Sequence, residues 1–241
     1  MEFPFNLASQ VGAPPDHVGP FVGLIDEAML PGRRGLFEVL DVVGKASMLA
    51  QGLRKPVTMG TPHLMGQRIY LLVDGCTALG LLKVGPKRLY VAPPPMVNGQ
   101  DCGSSVSDAL REISPLCALD FYVHESCQRS GFGRLIFDAM LEEEKVRPEQ
   151  LAYDKPSPKF LGFLGKHFGL TQFRVQNNSF VVFDEYWRCS RDPGSRSGLG
   201  RRSGSLKAGY GAGPGAEQPR SPTWGPLGQQ REAPGPHRSG S

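Results

Sequence analysis

No long apolar run occurs in this 241-residue chain, so nothing in it reads as a membrane-spanning helix, which needs about 20 such residues. The opening MEFPFNLASQ lacks the basic start and apolar stretch of a secretory signal. Cysteine is scarce: Cys76, Cys102, Cys117, Cys127 and Cys189 form no CxxC unit, and their irregular spacing does not read as a disulfide framework. Histidine is equally thin, with five scattered residues, so no metal-ligand spacing stands out and no metal is expected. These absences fit a reducing, cytoplasmic setting. No internal repeat is visible either.

Glycine and proline are abundant, at 31 and 22 residues, and the excess lies late in the chain. From Arg188 to Ser241 there are 12 Gly and 7 Pro, no apolar periodicity and a net charge of +6, in a chain whose total is +4. Residues 1–187 therefore carry −2, and the basic balance belongs to the tail. A folded domain over 1–187 and a tail without fixed structure over 188–241 are expected, because the tail lacks side chains to offset its ordering entropy. The tail also lacks the dense basic clusters interleaved with aromatics that nucleic-acid binding would call for.

Within the body, residues 1–35 mix apolar patches with Pro and Gly, and a short strand followed by loops is expected there. Leu36 to Gln51 repeats apolar residues at three- and four-residue spacing and predicts a helix, locally weakened by Gly44. Arg68–Val73, Leu79–Val84 and Lys87–Ala92 read as neighbouring antiparallel strands separated by turn residues. Leu116–Val123 is apolar on both faces except at Asp120 and reads as an interior strand. Strand alternation places Cys117 with Leu119, Phe121 and Val123, opposite Asp120. Gly133 to about Lys145 predicts a helix, Leu151–Tyr153 a short strand, Lys159–His167 a second helix with Gly169 as its C-cap, and Phe180–Trp187 a last strand. Helices following strands twice, beside hairpins, imply a mixed α/β sheet.

The sharpest local signal is Gln128-Arg129-Ser130-Gly131-Phe132-Gly133, between the interior strand and an amphipathic helix. Glycines let the backbone approach a ligand closely, and free amides at a helix start face an anion. The spacing is not the Rossmann fingerprint. It is similar to the Gln-Arg-x-Gly-x-Gly pyrophosphate motif of GCN5-related N-acetyltransferases. That resemblance implies an α/β GCN5-related N-acetyltransferase fold: a mixed, mostly antiparallel, splayed sheet flanked by helices, with acetyl-CoA as co-substrate in the gap between two central strands.

Longer segments narrow the resemblance. ASMLAQ, GLLKVGPKRLYV, PLCALDFYVHESCQRSGFGRLIF, LAYDKPSPKFLGFLGKHFGL, QNNSFVVF and the opening MEFPF resemble the α-tubulin N-acetyltransferase family, strongly from about Leu36 to Trp187. The first 35 residues otherwise depart from its pattern. The resemblance implies acetylation of a lysine in the α-tubulin loop facing the microtubule lumen, by direct attack in a ternary complex. It implies a monomeric catalytic domain, microtubules as partner, and a cytoskeletal location that extends to the ciliary axoneme. Two other readings stay open: an acetyltransferase for another protein lysine or amine, and a non-catalytic microtubule-binding member.

By the resemblance, Phe121, Tyr122, Val123, His124, Gln128, Arg129, Ser130, Gly131, Phe132, Gly133 and Arg134 border the cofactor on one side. Ser157, Lys159 and Lys166 border it on the other. Gln51, Cys117 and Asp154 match residues important for activity, and Phe180 matches an aromatic of the substrate groove. The chemistry of each is open at this point. Acetylation needs a neutral amine, while a free lysine titrates near 10.4, so a proton acceptor is required. Asp154, at a strand end, is the first candidate; otherwise it caps a turn. Cys117 is either a second polar group near the thioester or a small core thiol. Asp120 either contacts the substrate or accepts core hydrogen bonds. Gln51 cannot be a base but can bind water, cofactor or peptide. His124 reads as a capping residue rather than the base. Lys159 and Lys166 either meet phosphates or form a wet helix face. Lys83, Lys87 and Arg88 read as a basic hairpin rim suited to an acidic surface, or as a solvated hairpin.

Overall fold

The computed structural model describes residues 1–61, 63–94 and 110–189. The chain divides into two units, Met1–Ser195 and Arg196–Ser241, and the second lies wholly outside the described residues, as does most of the predicted tail.

A short helix, α1 (Leu7–Gln10), precedes β1 (Pro20–Ile25), and α2 (Arg34–Ala50) follows. The hairpin β2 (Arg68–Asp74) and β3 (Thr77–Pro86) leads to β4 (Leu89–Val91), β5 (Arg111–Ile113) and β6 (Leu116–Val123). Then come α3 (Phe132–Glu144), β7 (Ala152–Asp154), α4 (Pro158–Phe168), β8 (Phe173–Val175), β9 (Phe180–Phe183) and α5 (Asp184–Cys189). Seven strands form one mixed sheet in the order β1-β2-β3-β6-β7-β9-β8. One face packs on α1 and α2 through Leu36, Val39, Leu40 and Val43, the apolar stripe of α2. The other packs on α3 and α4 through Ile136, Phe137, Met140, Phe160 and Leu164.

Several expectations change. The N-terminal segment supplies a full edge strand, paired with β2 over six residues from Pro20↔Asp74 to Ile25↔Ile69. The third predicted strand does not continue the meander. Pro86 ends β3, and β4 pairs instead with β5 in a separate two-stranded ribbon. The last predicted strand stops at Phe183: Asp184 N donates to Gln172 O at 2.9 Å, and Asp184 and Glu185 then begin α5, where acidic residues favour the positive helix end. β8, too short to signal itself, pairs with β9.

Two features govern the centre. β6 and β7 run parallel but pair only at Cys117↔Ala152 and Ala118↔Tyr153, after which the strands separate. On its other side β6 carries a bulge, because Lys83 pairs with Asp120 while the adjacent Val84 pairs with Ala118, leaving Leu119 extra. A bulge adds one residue and so breaks the two-residue alternation. Phe121 and Ala118 join the α3–α4 core, whereas Asp120 faces Ser47 and Thr58 on the α2 side. The expected grouping of Cys117 with Phe121, opposite Asp120, is therefore wrong. Lys83 also leaves the expected basic rim. It is buried, its Nζ donates to Val57 O at 2.9 Å, and burial lowers its pKa while Asp120 opposes the shift.

Candidate active site

The separation of β6 from β7 opens a cleft at the centre of the sheet. Gln51, Asp120 and Phe121 line one side, with Asp154, Ser157 and Phe160 on the other. Beyond Ala118, the edge of β6 that faces it has no strand partner among the described residues. His124 N donates to Leu79 O at 2.8 Å, so the even-numbered end of β6 is bonded to β3. By alternation Phe121 and Val123 turn their amides and carbonyls into the gap, and Gln128 Nε2 caps Val123 O at 3.0 Å. Tyr122 turns the other way. Its backbone belongs to β3's side, and its ring is buried with its hydroxyl on Glu125 at 2.9 Å.

At the end of that strand, His124 caps a 3-10 turn over Glu125–Cys127, accepting from Ser126 N, as the sequence suggested. Arg129 and Gly131 then take φ of 67° and 85°, and Gly131 becomes the N-cap of α3. Only glycine adopts that conformation without strain. Arg134 N and Leu135 N both return to Gly131 O, and no side chain caps the first amides of α3. A helix start of this kind is suited to a phosphate group. Arg129 and Ser130 are exposed beside it, while Phe132 is half-buried against the α3–α4 core. Arg134 is turned elsewhere: its guanidinium pairs with Asp138 at 2.6 Å, reaches His167 O at 3.3 Å and lies 4.5 Å over the Phe168 ring.

On the opposite wall, Ser157 is the N-cap of α4, accepting from Phe160 N at 3.2 Å, and Pro158 occupies the first turn. Lys159 and Lys166 are both exposed on α4, in its first and last turns, so they lie about 10 Å apart along the helix. Phe121 packs across the gap, with tilted rings, on Phe160 at 4.6 Å and on Phe163 at 5.5 Å between ring centroids, closing the floor.

Asp154 ends β7 on the cleft wall, half-buried, opposite Phe180 in the β7–β9 register. Burial raises its pKa, which Lys155 and Lys87 partly oppose. A carboxyl group poised upward in a cleft is a better proton acceptor than an ordinary aspartate. Cys117 does not line the cleft. It is fully buried among Leu89, Leu119, Ala152 and Val182, and burial, with Asp154 adding, pushes its thiol up to about 12. It is thus a neutral thiol at physiological pH, a poor nucleophile. Asp120 is 4 % exposed. Its Oδ1 accepts from Ser47 Oγ at 2.7 Å and Gln51 Nε2 at 2.9 Å, and its Oδ2 from Thr58 Oγ1 at 2.7 Å. The sequence reading missed Ser47 and Thr58. Ser47 and Gln51 do stand four apart on a helix, a spacing that puts them on one face. No group of three or more His, Cys, Asp or Glu suited to a metal exists among the described residues, and none of their helices is long and apolar enough to cross a membrane.

A sheet splayed at its centre, with a glycine-led helix start beside the parting strand, defines an acetyltransferase fold of the GNAT class. The profile described as GNAT acetyltransferase, Mec-17 matches residues 26–208, and the chain belongs to that family. It is 38% identical over 210 residues to an alpha-tubulin N-acetyltransferase of Tetrahymena thermophila, a match covering 84% of this chain and 49% of that protein. It is 42% identical over 157 residues to one of Leishmania major, covering 64% and 59% respectively. The chain thus spans about half to three-fifths of the length of these relatives. Among solved structures, the xEco2 acetyltransferase domain aligns with 70% of this chain and 92% of its own, at a TM-score of 0.44 and 15% identity.

Proposed function

We propose that the chain transfers an acetyl group from acetyl-CoA to the side-chain amine of an α-tubulin lysine, the luminal-loop lysine of microtubules. The carrying observation is the gap between β6 and β7, with a raised-pKa Asp154 on one wall and an uncapped α3 start at its mouth. The relatives' naming as alpha-tubulin N-acetyltransferases supports the choice of acceptor.

The residues fit the co-substrate. The amides of Gly131–Gly133 and the side chain of Arg129 would hold its pyrophosphate. The open edge of β6 at Phe121 and Val123 would bond the pantetheine arm as an added strand. When bound, acetyl-CoA supplies a thioester, an acyl group activated toward amines. The remaining chemistry belongs to the chain. Asp154 accepts the proton of the entering ammonium, directly or through water, and burial has raised its affinity for that proton. Of the two amides on the open edge of β6, that of Val123 would serve the pantetheine arm and that of Phe121 would stabilise developing negative charge on the thioester carbonyl oxygen. Cys117, buried outside the cleft, takes no acyl group in this reading: the neutral amine attacks the thioester carbonyl directly in a ternary complex, the C–S bond breaks, and the CoA sulfur leaves and takes up a proton from solvent. Phe180, next to Asp154 on β9, borders the acceptor. The setting is the cytoplasmic cytoskeleton, axonemes included.

The test is acetyl incorporation by the full chain into assembled microtubules, alongside Asp154→Asn and tubulin lacking the luminal lysine. Transfer that needs both the lysine and Asp154 is expected. Transfer that persists on tubulin without that lysine would refute the acceptor, and none at all with acetyl-CoA bound would refute the activity.

A further inference from the structure

The polar cluster on the α2 side of β6 is buried, complete and directional, and it bears on Gln51. Gln51 caps α2, and its backbone N donates to Ser47 O at 3.0 Å, so helical geometry stacks the two side chains over Asp120. Gln51 Nε2 donates to Ser47 Oγ at 2.8 Å and to Asp120 Oδ1 at 2.9 Å, and Ser47 Oγ donates to the same Oδ1 at 2.7 Å. A carboxylate only accepts, so the chain of bonds has one possible direction. The Gln51 amide must turn its NH2 inward, which leaves Oε1 outward on the cleft wall.

The segment after α2 is fastened around the same carboxylate. Thr58 is fully buried on Asp120 Oδ2, Lys83 Nζ holds Val57 O at 2.9 Å, and Gly60 N bonds Asp41 Oδ1 at 2.8 Å. Three hydrogen bonds thus hold the Asp120 carboxylate on the α2 side, the core-bonding alternative of the two that the sequence left open.

We infer that Gln51 is a hydrogen-bond acceptor for an N–H of the lysine-bearing substrate, and that Ser47 and Asp120 are positioning residues that fix its amide in that sense. This rests on the acetyltransferase reading above. Ser47 is 1 % exposed and cannot touch the substrate, so any effect it has on transfer must pass through its neighbours.

A double-mutant cycle on the full chain isolates that path. Ser47→Ala should lower kcat/KM for assembled microtubules about tenfold, within the range of coupled contacts, and should cost nothing further in a Gln51→Ala background. Equal losses in both backgrounds would reduce Ser47 to a packing residue and overturn the inference. Asp120→Asn keeps an acceptor toward Ser47 and Gln51, while the Thr58 hydroxyl can turn to accept from the new amide. It should lose less than Ser47→Ala. A larger loss that persists without Gln51 would place the Asp120 charge on the substrate instead. A second readout is independent of turnover: in 15N spectra the Gln51 side-chain amide protons should exchange slowly, and faster once Ser47 is alanine and only the bond to Asp120 remains. Fast exchange in the wild type overturns the inference. Slow exchange without acetyl transfer would refute only the functional reading.

Discussion

Gly44→Ala pits two opposite effects against each other. Gly44 lies inside α2, where alanine in its place is worth about 1 kcal/mol of helix propensity. An exposed helical glycine would therefore be a candidate for stabilisation. Here an added Cβ would fall onto the carbonyl oxygen of Thr58 and 2.8 Å from its carbonyl carbon, both backbone atoms of the segment strapped across α2. The strap would have to lift. Lifting it breaks the Thr58–Asp120 bond, a hydrogen bond to a charged group worth about 1.5–3 kcal/mol, and overpacking adds about 1–3 kcal/mol. Less the propensity gain, the net loss is about 1.5–5 kcal/mol. For a domain of this size that lowers Tm by roughly 3–20 °C, at 2–4 °C per kcal/mol. Thermal and urea unfolding of the full chain, variant against wild type, measure it directly. An unchanged or raised Tm would refute the reasoning, because it would mean the strap does not lie on α2 as described.

Further outcomes follow from the site. Because burial raises Asp154 and the ionised form is the proton acceptor, kcat/KM should rise with pH through a point above the ordinary aspartate range near 4. Asp154→Asn should fall about 100-fold or more with that limb gone. The sign for stability is opposite: a raised folded pKa contributes stability below the unfolded value that is lost as pH rises through the folded one. Asp154→Asn should thus gain in relative Tm on passing from acidic to neutral pH, and a pH-independent difference would contradict the buried placement. Cys117, neutral up to about 12, should resist iodoacetamide at pH 8 while half-buried Cys76 and Cys127 react, as read by peptide mass spectrometry. Gly131→Ala introduces no clash but holds a side chain at φ +85°, at roughly 1–2 kcal/mol of strain. Acetyl-CoA affinity by calorimetry should drop about tenfold, and an unchanged Kd would remove the cradle from this stretch.

The sequence was most legible where one local rule dominates. The apolar run Leu116–Val123 matches β6 residue for residue, and the helix expected over Lys159–His167 with Gly169 as its C-cap is α4, one residue longer at each end. Gln51, Asp120, Phe121, Asp154 and Ser157 do converge on one cleft. Legibility failed where a partner decides. The extra residue at Leu119 is a mismatch with β3, invisible in β6 alone, and it reverses which side chains share a face. Lys83 looked like a rim charge because hairpin lysines usually are. Only the return of Val57 and Asp120 around it, from distant segments, makes burial tolerable. FVVFDEYW reads as a continuous strand by its β-branched and aromatic residues, yet Tyr186 and Trp187 pack equally well on the Cys117–Val182 cluster from a helix.

The brief contact between β6 and β7 has a mechanical side. Among the described residues, two residue pairs are the backbone ladder that stitches β1-β2-β3-β6 to β7-β9-β8. Across the rest of that seam the halves are fastened by aromatic rings on the α3–α4 side, Phe121 against Phe160 and Phe163. A strand-like ligand seated in the seam would add the missing rungs and carry the backbone ladder from one half of the sheet to the other.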